Sequence, residues 1–387
     1  MRGKRKMYKE KLSFNKNKKF VILQVSDAQD LQIVRRTLLK MLDKAYQAVK
    51  PDLVVLTGDN ILGNHLNDAI FGTRQVVFDK KDTYNRMKKA LTYILKPLDA
   101  RKIPFAFIYG NHDDMNVFSK KEQAEIYKSY NYCVEFNETQ PQLECDTYNI
   151  PIFSSDGSSI AYNLWMLDSA GNDENGENGF AYVSKETLDW YVQKSEELKR
   201  QNEGKPVDSL MFQHIPMPET LRLLKECDAG EPNSVKKDGK YYTLNPELAS
   251  GILSEYPHVC QTSFGQFERI KEQGDVRAVV FGHDHTNCFE GTLDSINIIQ
   301  TPCASFRCYG NDLRGVRVFE LDENDTKHYN TYTLTYFDLC GRGPVSRLRH
   351  ILDADERVKD KAVLLSATGI VLCGAASFYI AKKFKKH

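Results

Sequence analysis

The chain contains five short apolar runs, and each run is followed at once by a polar loop. Runs of four to six residues that end in glycine or polar side chains indicate buried β-strands. In open α/β sheets, ligands bind where strands end, so five such loops predict one site assembled along the whole fold. The runs span residues 20–25, 53–56, 105–109, 209–212 and 276–280.

Helical spacing separates these runs in the first third of the chain. Apolar residues recur at helical spacing from Leu31 to Val49, and Pro51 ends this pattern before the second strand. A second helix is predicted from Tyr84 to Ala100. Strands that alternate with helices predict a parallel, doubly wound half. Further helices are predicted at 119–130 and 184–200, and strands at 295–300, 316–321 and 328–337 predict a second sheet of antiparallel pairs.

Two long stretches are predicted to cover the site. Residues 61–81 are rich in Gly, Asn and Asp and follow the second strand, so we expect them to overhang it. Residues 228–264 form an insertion without strong periodicity before the last of the five runs. Its position predicts a lid that sets substrate choice.

The carboxyl-terminal part differs from the rest of the chain. After a charged linker, residues 362–381 carry no charge, and four lysines follow within residues 382–387. Twenty uncharged residues span a bilayer core of about 30 Å at helical rise, which predicts a transmembrane helix. A buried terminal helix is the alternative. Small residues on the surface of this helix favour self-association in a membrane; they are Gly369, Cys373, Gly374 and Ser377.

Charge and cysteine content bear on the location. The net charge of +1 hides a basic amino-terminal arm, which is either a solvated tail or a contact for anionic lipid or nucleic acid. Nine cysteines without a C-x-x-C pair, and no secretory signal, predict a reducing compartment. We therefore expect a membrane-anchored protein whose globular domain is cytoplasmic. The predicted segments are a basic disordered arm at 1–19, a globular domain at 20–340, a charged linker at 341–361, a transmembrane helix at 362–381 and a basic tail at 382–387.

The five loops carry the donors that divalent metals bind. His283 and His285 follow a turn at Gly282 and can point both imidazoles at one spot. A metal pair needs a bridging carboxylate, and Asp59 is the natural bridge. We assign Asp27, Asp59 and His285 to one metal, and Asp59, Asn111, His214 and His283 to the other. Two divalent ions against two carboxylates leave excess positive charge, which favours an anionic phosphate substrate.

His112 has a separate predicted role. It adjoins the ligand Asn111 on a tight loop, so it faces the mouth of the site rather than the metals. A protonated imidazole there can give a proton to the departing alkoxide. Asp113 or Asp114 would orient it, although Asp114 is nearly as good a helix N-cap. His112 and Asp113 are therefore the predicted catalytic residues.

These blocks resemble the five-block signature of the calcineurin-like metallophosphoesterase superfamily. The pieces GDNILG at 58–63, HIPMPE at 214–219 and GHDHTN at 282–287 are similar to its purple-acid-phosphatase-like subgroup. The resemblance covers roughly residues 20 to 340. It implies an α/β fold, a four-layer α/β/β/α sandwich of two mixed sheets. It also implies hydrolysis of phosphate esters by in-line attack of a hydroxide that bridges two divalent metals.

Two departures from the family pattern affect the metals. Gln29 stands where the superfamily usually has histidine, and Leu62 stands where the purple enzymes have tyrosine. Without a phenolate, the coloured iron(III) site is not expected. Gln29 is predicted to bind through its amide oxygen, which favours Mn or Mg over Fe or Zn, with Mn preferred. His65 is an alternative ligand, and Arg307 is a possible phosphate clamp.

Three functions follow from this reading. The first is a metal-dependent phosphoesterase that acts on a phosphorylated substrate. The second is a metal-poor binding scaffold of the same fold, which Gln29 keeps open. The third is a phosphodiesterase or nuclease, suggested by the basic arm, although nucleic acid is an unlikely partner.

Overall fold

The computed structural model describes residues 8–66, 79–172, 179–260 and 262–354. The strands in these ranges are β1 (Leu12–Ser13), β2 (Lys19–Val25), β3 (Leu53–Thr57), β4 (Phe105–Ile108), β5 (Tyr148–Phe153), β6 (Ile160–Met166), β7 (Ser209–Phe212), β8 (Leu224–Cys227), β9 (Val235–Lys237), β10 (Lys240–Leu244), β11 (Ala249–Ile252), β12 (Val276–Phe281), β13 (Cys288–Leu293), β14 (Ile296–Gln300), β15 (Gly315–Asp322) and β16 (Tyr329–Thr335). The helices are α1 (Arg36–Val49), α2 (Lys80–Arg101), α3 (Asn111–Asp114), α4 (Lys120–Lys128), α5 (Lys185–Gln201), α6 (Gln266–Gln273), α7 (Tyr336–Cys340) and α8 (Pro344–Asp353).

The first sheet has five strands in the order β16-β15-β2-β3-β4. Strands β2, β3 and β4 run parallel, with α1 and α2 as the connections between them, which confirms the predicted doubly wound half. Every residue of β3 is buried, as expected for a parallel strand covered on both faces. Strands β15 and β16 extend the sheet in the antiparallel sense.

The second sheet has eight strands in the order β1-β5-β6-β7-β12-β14-β13-β11. Its centre is parallel from β6 to β14, and antiparallel pairs lie on either side. The prediction that the late strands together form an antiparallel second sheet is therefore wrong. Strand β14 joins this sheet parallel to β12, whereas β15 and β16 pair with β2 in the first sheet.

The two sheets pack face to face, with helices outside each of them. Alternate residues of β7 show this arrangement. Phe212 points to the first sheet and meets Phe319 of β15 edge-on, with 5.9 Å between the ring centroids. Met211 points the other way, into a cluster with Leu188 of α5 and Phe267 of α6. The result is an α/β fold with two mixed sheets between helical layers.

Both ends of the described chain are more ordered than predicted. Residues 8–19 are not a disordered arm, because β1 pairs with β5 and Leu12 and Phe14 are buried. Residues 341–353 are not simply a charged linker. They include α8, where the Asp353 carboxylate accepts a hydrogen bond from the Thr37 backbone N–H of α1 at 3.0 Å. Apolar residues in each segment provide this packing despite the surrounding charges.

The predicted transmembrane helix and membrane-anchored location are corrected. Among the residues that the structure describes, no helix combines the length and apolarity needed to cross a bilayer. The longest of them, α2, has 22 residues but carries charges along its length. The segment behind the prediction, 362–381, lies outside the described residues. Membrane attachment and self-association through this helix therefore have no structural support.

Candidate metal centre

The predicted site residues lie at the carboxyl ends of strands from both sheets. Loops after β2, β3 and β4 carry oxygen donors, and loops after β7 and β12 carry imidazoles. Asp27, Asp59 and His285 offer ligand atoms that all lie within 4.8 Å of one another, a group that could hold a metal ion. The residues brought together around this group are Gln29, Asn111, His112, His214 and His283.

His214 presents a nitrogen lone pair to a ring of oxygen atoms. Its Nδ1 donates to the Thr57 backbone carbonyl at 3.0 Å, so Nδ1 carries the proton of the neutral ring. Its Nε2 lies 3.2 Å from Asn111 Oδ1, 3.4 Å from Asp59 Oδ1 and 3.9 Å from Asp27 Oδ1. None of these oxygens is a donor. The arrangement therefore needs positive charge in the centre, as a proton on Nε2 or as a metal cation.

A buried carboxylate oxygen without a hydrogen-bond partner favours a metal cation over a proton at this position. Asp27 Oδ1 is buried without a hydrogen-bond partner. A single proton on His214 would leave this oxygen unsatisfied at 3.9 Å, whereas a cation can contact both carboxylates and the imidazole at once. The residues present therefore fit a divalent metal.

His285 is held in the same way from the opposite side. Its Nδ1 donates to the Tyr309 backbone carbonyl at 2.8 Å, and the Tyr309 ring stacks on it with centroids 4.2 Å apart. Its Nε2 then faces Asp27 Oδ1 at 3.4 Å. A backbone carbonyl that fixes the tautomer is a common support for a metal-binding histidine.

Gln29 lies between Asp59 and His285. Its amide nitrogen contacts His285 Nε2 at 2.9 Å and donates to Asp59 Oδ2 at 3.3 Å, while its Oε1 is buried without a partner. The amide nitrogen, and not the predicted ligand atom Oε1, therefore faces the Asp59 carboxylate. Turning the amide over would exchange the two atoms and bring Oε1 to the site.

The backbone is strained at three of these residues. Asp27 (φ 51°), Asp59 (φ 49°) and His283 (φ 74°) all adopt the left-handed conformation, which is uncommon outside glycine. Such strain clusters at functional sites, where it aims side chains inward. The neighbouring Gly282 is required for space, because a Cβ there would lie 1.8 Å from Ser26 Oγ.

The charges in the site support one another. Burial disfavours the ionised form of Asp59, but His214 and His112 hold the pKa of this carboxyl below its usual range. Burial also opposes the charge on His214, but Asp59 and Asp27 raise its pKa to about 10. Burial and the nearby His214 lower the pKa of His283 well below its ordinary value, which keeps this ring neutral, as a metal ligand must be.

His112 lies at the rim of this group. Its backbone N–H donates to Asp59 Oδ1 at 2.8 Å, its Nε2 lies 4.0 Å from Asp59 Oδ2, and 28% of its side chain is exposed. The predicted orienting residues have other partners. Asp113 is buried and accepts backbone N–H groups from Asn60, Ile61 and Gly110. Asp114 pairs with Lys120 at 3.6 Å.

The arrangement of strands, loops and donors agrees with a comparison of sequences. A family model of calcineurin-like phosphoesterases matches residues 20–287. The chain belongs to this family. The resemblance stated from the five blocks is thereby confirmed, and a metal-dependent phosphoester hydrolase is the activity class that the family supports.

Two curated relatives and one solved structure resemble the chain at low sequence identity. This calcineurin-like phosphoesterase is 28% identical to probable inactive purple acid phosphatase 29 of Arabidopsis thaliana, over 82% of this chain and 80% of that protein. It is 27% identical to phosphatase DCR2 of Saccharomyces cerevisiae, over 71% of this chain and 44% of that protein. A dimetal phosphatase from Danio rerio aligns structurally at 14% identity, with a TM-score of 0.47, over 82% of this chain and 99% of that chain.

Two weaker predictions for this phosphoesterase gain no support. Arg307 forms an ion pair with Asp30 and donates to the Ile33 carbonyl at 2.7 Å, so its guanidinium is committed to the protein rather than to a phosphate. His65 is in neither of the two groups among the described residues that could hold a metal ion. In the same turn, the Asn64 side chain contacts His112.

The described part of the insertion at 228–264 packs beside the loop after β12. Its strands β9 and β10 form a small sheet with β8, which precedes the insertion, and β11 extends the second sheet. Asn287 Oδ1 accepts the backbone N–H groups of Ser254 at 2.8 Å and Glu255 at 3.1 Å. Asp284 Oδ1 accepts from His258 Nδ1 at 2.9 Å, and the His258 ring lies 6.2 Å from that of His283. These hydrogen bonds join the insertion to the GHDHTN loop, and its role as a lid that sets substrate choice stays a prediction.

Three supports of the site were missed from the sequence. Thr57 and Tyr309 act through backbone carbonyls, which leave no signature in residue type. Asn64 acts through its side chain, and its position directly after the GDNILG block was the available signal.

Proposed function

We propose that this protein is a two-metal phosphoesterase. The observation that carries the proposal is the pair of imidazoles, His214 and His285, whose free nitrogens face shared carboxylates while backbone carbonyls hold their other nitrogens. Asp27, Asp59 and His285 would hold one metal, with Gln29 completing the sphere through Oε1. Asp59, Asn111, His214 and His283 would hold the other. When bound, two such ions neutralise phosphoryl oxygens and supply a nucleophile at neutral pH.

The side chains around the metals have separate tasks. His112 Nε2 faces the site from the rim and would give its proton to the departing oxygen of the ester. Phe180 packs edge-on against His283, with centroids 4.3 Å apart, and would keep water from that side of the ring. Among the proposed ligands of the two metals, oxygen donors outnumber imidazoles, which favours Mn or Mg, with Mn preferred.

Metal analysis and a chelation cycle test this proposal. The purified protein should contain about two divalent ions per chain. Activity on 4-nitrophenyl phosphate should disappear on chelation and return on addition of Mn, with Mg, Zn and Fe as parallel additions. A protein that binds two metals and shows no turnover of phosphate monoesters or diesters would contradict the proposal.

A metal-poor scaffold is the second candidate. It is favoured by the Gln29 amide, whose nitrogen faces Asp59 and His285, and by a relative that is named as a probable inactive purple acid phosphatase. The same metal analysis separates the two functions. Less than one metal per chain after incubation with Mn, with no gain in activity, would select the scaffold.

A further inference from the structure

The turn at residues 63–65 lies directly against the His112 loop. Asn64 Oδ1 lies 3.2 Å from His112 Nδ1, and both groups are partly buried. Gly63 makes this approach possible, because a Cβ at that position would lie 2.1 Å from the His112 backbone oxygen. The backbone of His112 is already fixed through its N–H on Asp59 Oδ1, at 2.8 Å. His112 is therefore held at its backbone N–H by Asp59 and at its ring Nδ1 by Asn64.

We infer that Asn64 is the positioning residue of His112. The inference rests on the proposed function, in which His112 gives up a proton. Asn64 would determine which nitrogen holds that proton and where it points. Neither Asp113 nor Asp114 can do this, since their carboxylates bind the backbone of residues 60, 61 and 110 and the Lys120 ammonium.

The tautomer gives the chemical reason. An amide oxygen only accepts hydrogen bonds, so Nδ1 must carry a proton before and after transfer. The proton that leaves must then come from Nε2, and Nε2 is the nitrogen that faces the site, 4.0 Å from Asp59 Oδ2. The ring ends as the Nδ1–H tautomer, which Asn64 still stabilises. Without an acceptor at position 64, the ring can rotate and the Nε2–H form is no longer opposed.

Two substitutions at one position separate hydrogen bonding from packing. Asn64→Leu keeps the approximate shape and removes the acceptor, whereas Asn64→Asp keeps an acceptor oxygen. Asn330→Leu is the matched control, because Asn330 is an exposed residue of β16 whose amide bonds only to Glu320 on the neighbouring strand among its described contacts. Metal content should be the same in all three variants and in the wild type.

Leaving groups provide the kinetic test on the metal-loaded protein. On an alkyl phosphate, Asn64→Leu should lower kcat by about 10-fold or more, because general acid catalysis contributes ~10²–10⁴-fold there. On 4-nitrophenyl phosphate the loss should be about 3-fold or less, since that leaving group needs no proton. Asn64→Asp should restore most of the loss. In a His112→Asn background, Asn64→Leu should have no further effect.

Nitrogen-15 NMR of the histidine rings provides a readout that does not depend on activity. Wild-type protein should show neutral His112 as the Nδ1–H tautomer, and Asn64→Leu should shift it towards Nε2–H, with Asn64→Asp unchanged. A wild-type Nε2–H tautomer, equal kinetic losses on both esters, or additive effects with His112→Asn would each overturn the inference. An inactive wild type with the Nδ1–H tautomer would overturn the proposed function and leave the positioning by Asn64 in place.

Discussion

The two sheets contribute different chemistry to one site. Loops of the five-stranded sheet supply the oxygen donors Asp27, Gln29, Asp59 and Asn111, whereas loops of the eight-stranded sheet supply the imidazoles of His214, His283 and His285. Two of the oxygen donors are carboxylates in strained left-handed backbone. Two of the imidazoles, those of His214 and His285, depend on support from other loops, because backbone carbonyls there determine their tautomers.

This difference shows how the site divides its work between charge and direction. The oxygen half of the site (Asp27, Gln29, Asp59 and Asn111) provides negative charge, which attracts cations from a broad range of directions. The nitrogen half (His214, His283 and His285) provides lone pairs that are directional and neutral, so in the proposed two-metal site it would decide where the ions sit. Substitutions in the two halves should therefore differ in their effects on metal content, activity and stability.

The largest effect is expected for Asp59→Asn in the oxygen half. Asp59 is the proposed ligand of both ions, so metal content should fall from about two per chain to one or fewer. Turnover should fall by well over the ~10–100-fold that loss of an outer-shell partner costs. Metal analysis and kcat on 4-nitrophenyl phosphate measure both. Asp52→Asn is the control. Asp52 lies just before β3, and its carboxylate accepts the backbone N–H of Val21 instead of facing the site. Near-normal turnover in Asp59→Asn would refute the shared ligand.

Asp113→Ala should affect stability more than the metals. The buried Asp113 carboxylate accepts N–H groups from Asn60, Ile61 and Gly110, which connect the loops after β3 and β4. Leaving these donors unsatisfied should cost about 2–4 kcal/mol in the free energy of unfolding, measured with urea. Asp156→Ala removes an exposed acceptor of a turn and should change little. Full stability with lost activity would instead support a catalytic role for Asp113.

His214, in the nitrogen half, should make the thermal stability of the metal-free protein depend on pH. The pKa of His214 is raised to about 10 in the fold. Its contribution to stability is therefore fully present below an unfolded pKa of about 6.5 and is lost as pH rises towards 10. The Tm of chelated wild type should fall between pH 7 and 10 more than that of chelated His214→Gln. Metal should flatten this difference, because a cation replaces the proton. Parallel curves for the chelated proteins would contradict the assignment.

The smallest predicted change is a gain in the oxygen half. Gln29→His places an imidazole where the Gln29 amide now meets Asp59 and His285. Because imidazole suits Zn and Fe better than an amide oxygen does, affinity for these metals should rise roughly tenfold, or ~1.4 kcal/mol, relative to Mn. Competition titrations measure this, with the exposed Gln47→His as the control. Unchanged selectivity would place Gln29 outside the coordination sphere.

Much of the local structure was predictable from the sequence. The predicted helix at 184–200 begins at Lys185 and ends at Gln201, with Ser184 as the N-cap that accepts from the Thr187 backbone N–H. The predicted strand at 209–212 coincides with β7. These elements follow from apolar spacing and capping groups a few residues apart, so short windows of sequence contain the necessary information. The order of the five blocks identified the family for the same reason.

The sequence by itself therefore determined which residues end each strand and which donors follow them. Only the tertiary structure decided which strands share a sheet, as the placement of β15 and β16 beside β2 shows. It also decided the proton positions, since the Thr57 carbonyl that orients His214 is 157 residues away along the chain. The physical reason is common to both. Strand pairing and backbone hydrogen bonds depend on contacts between distant segments, and a carbonyl oxygen is the same in every residue.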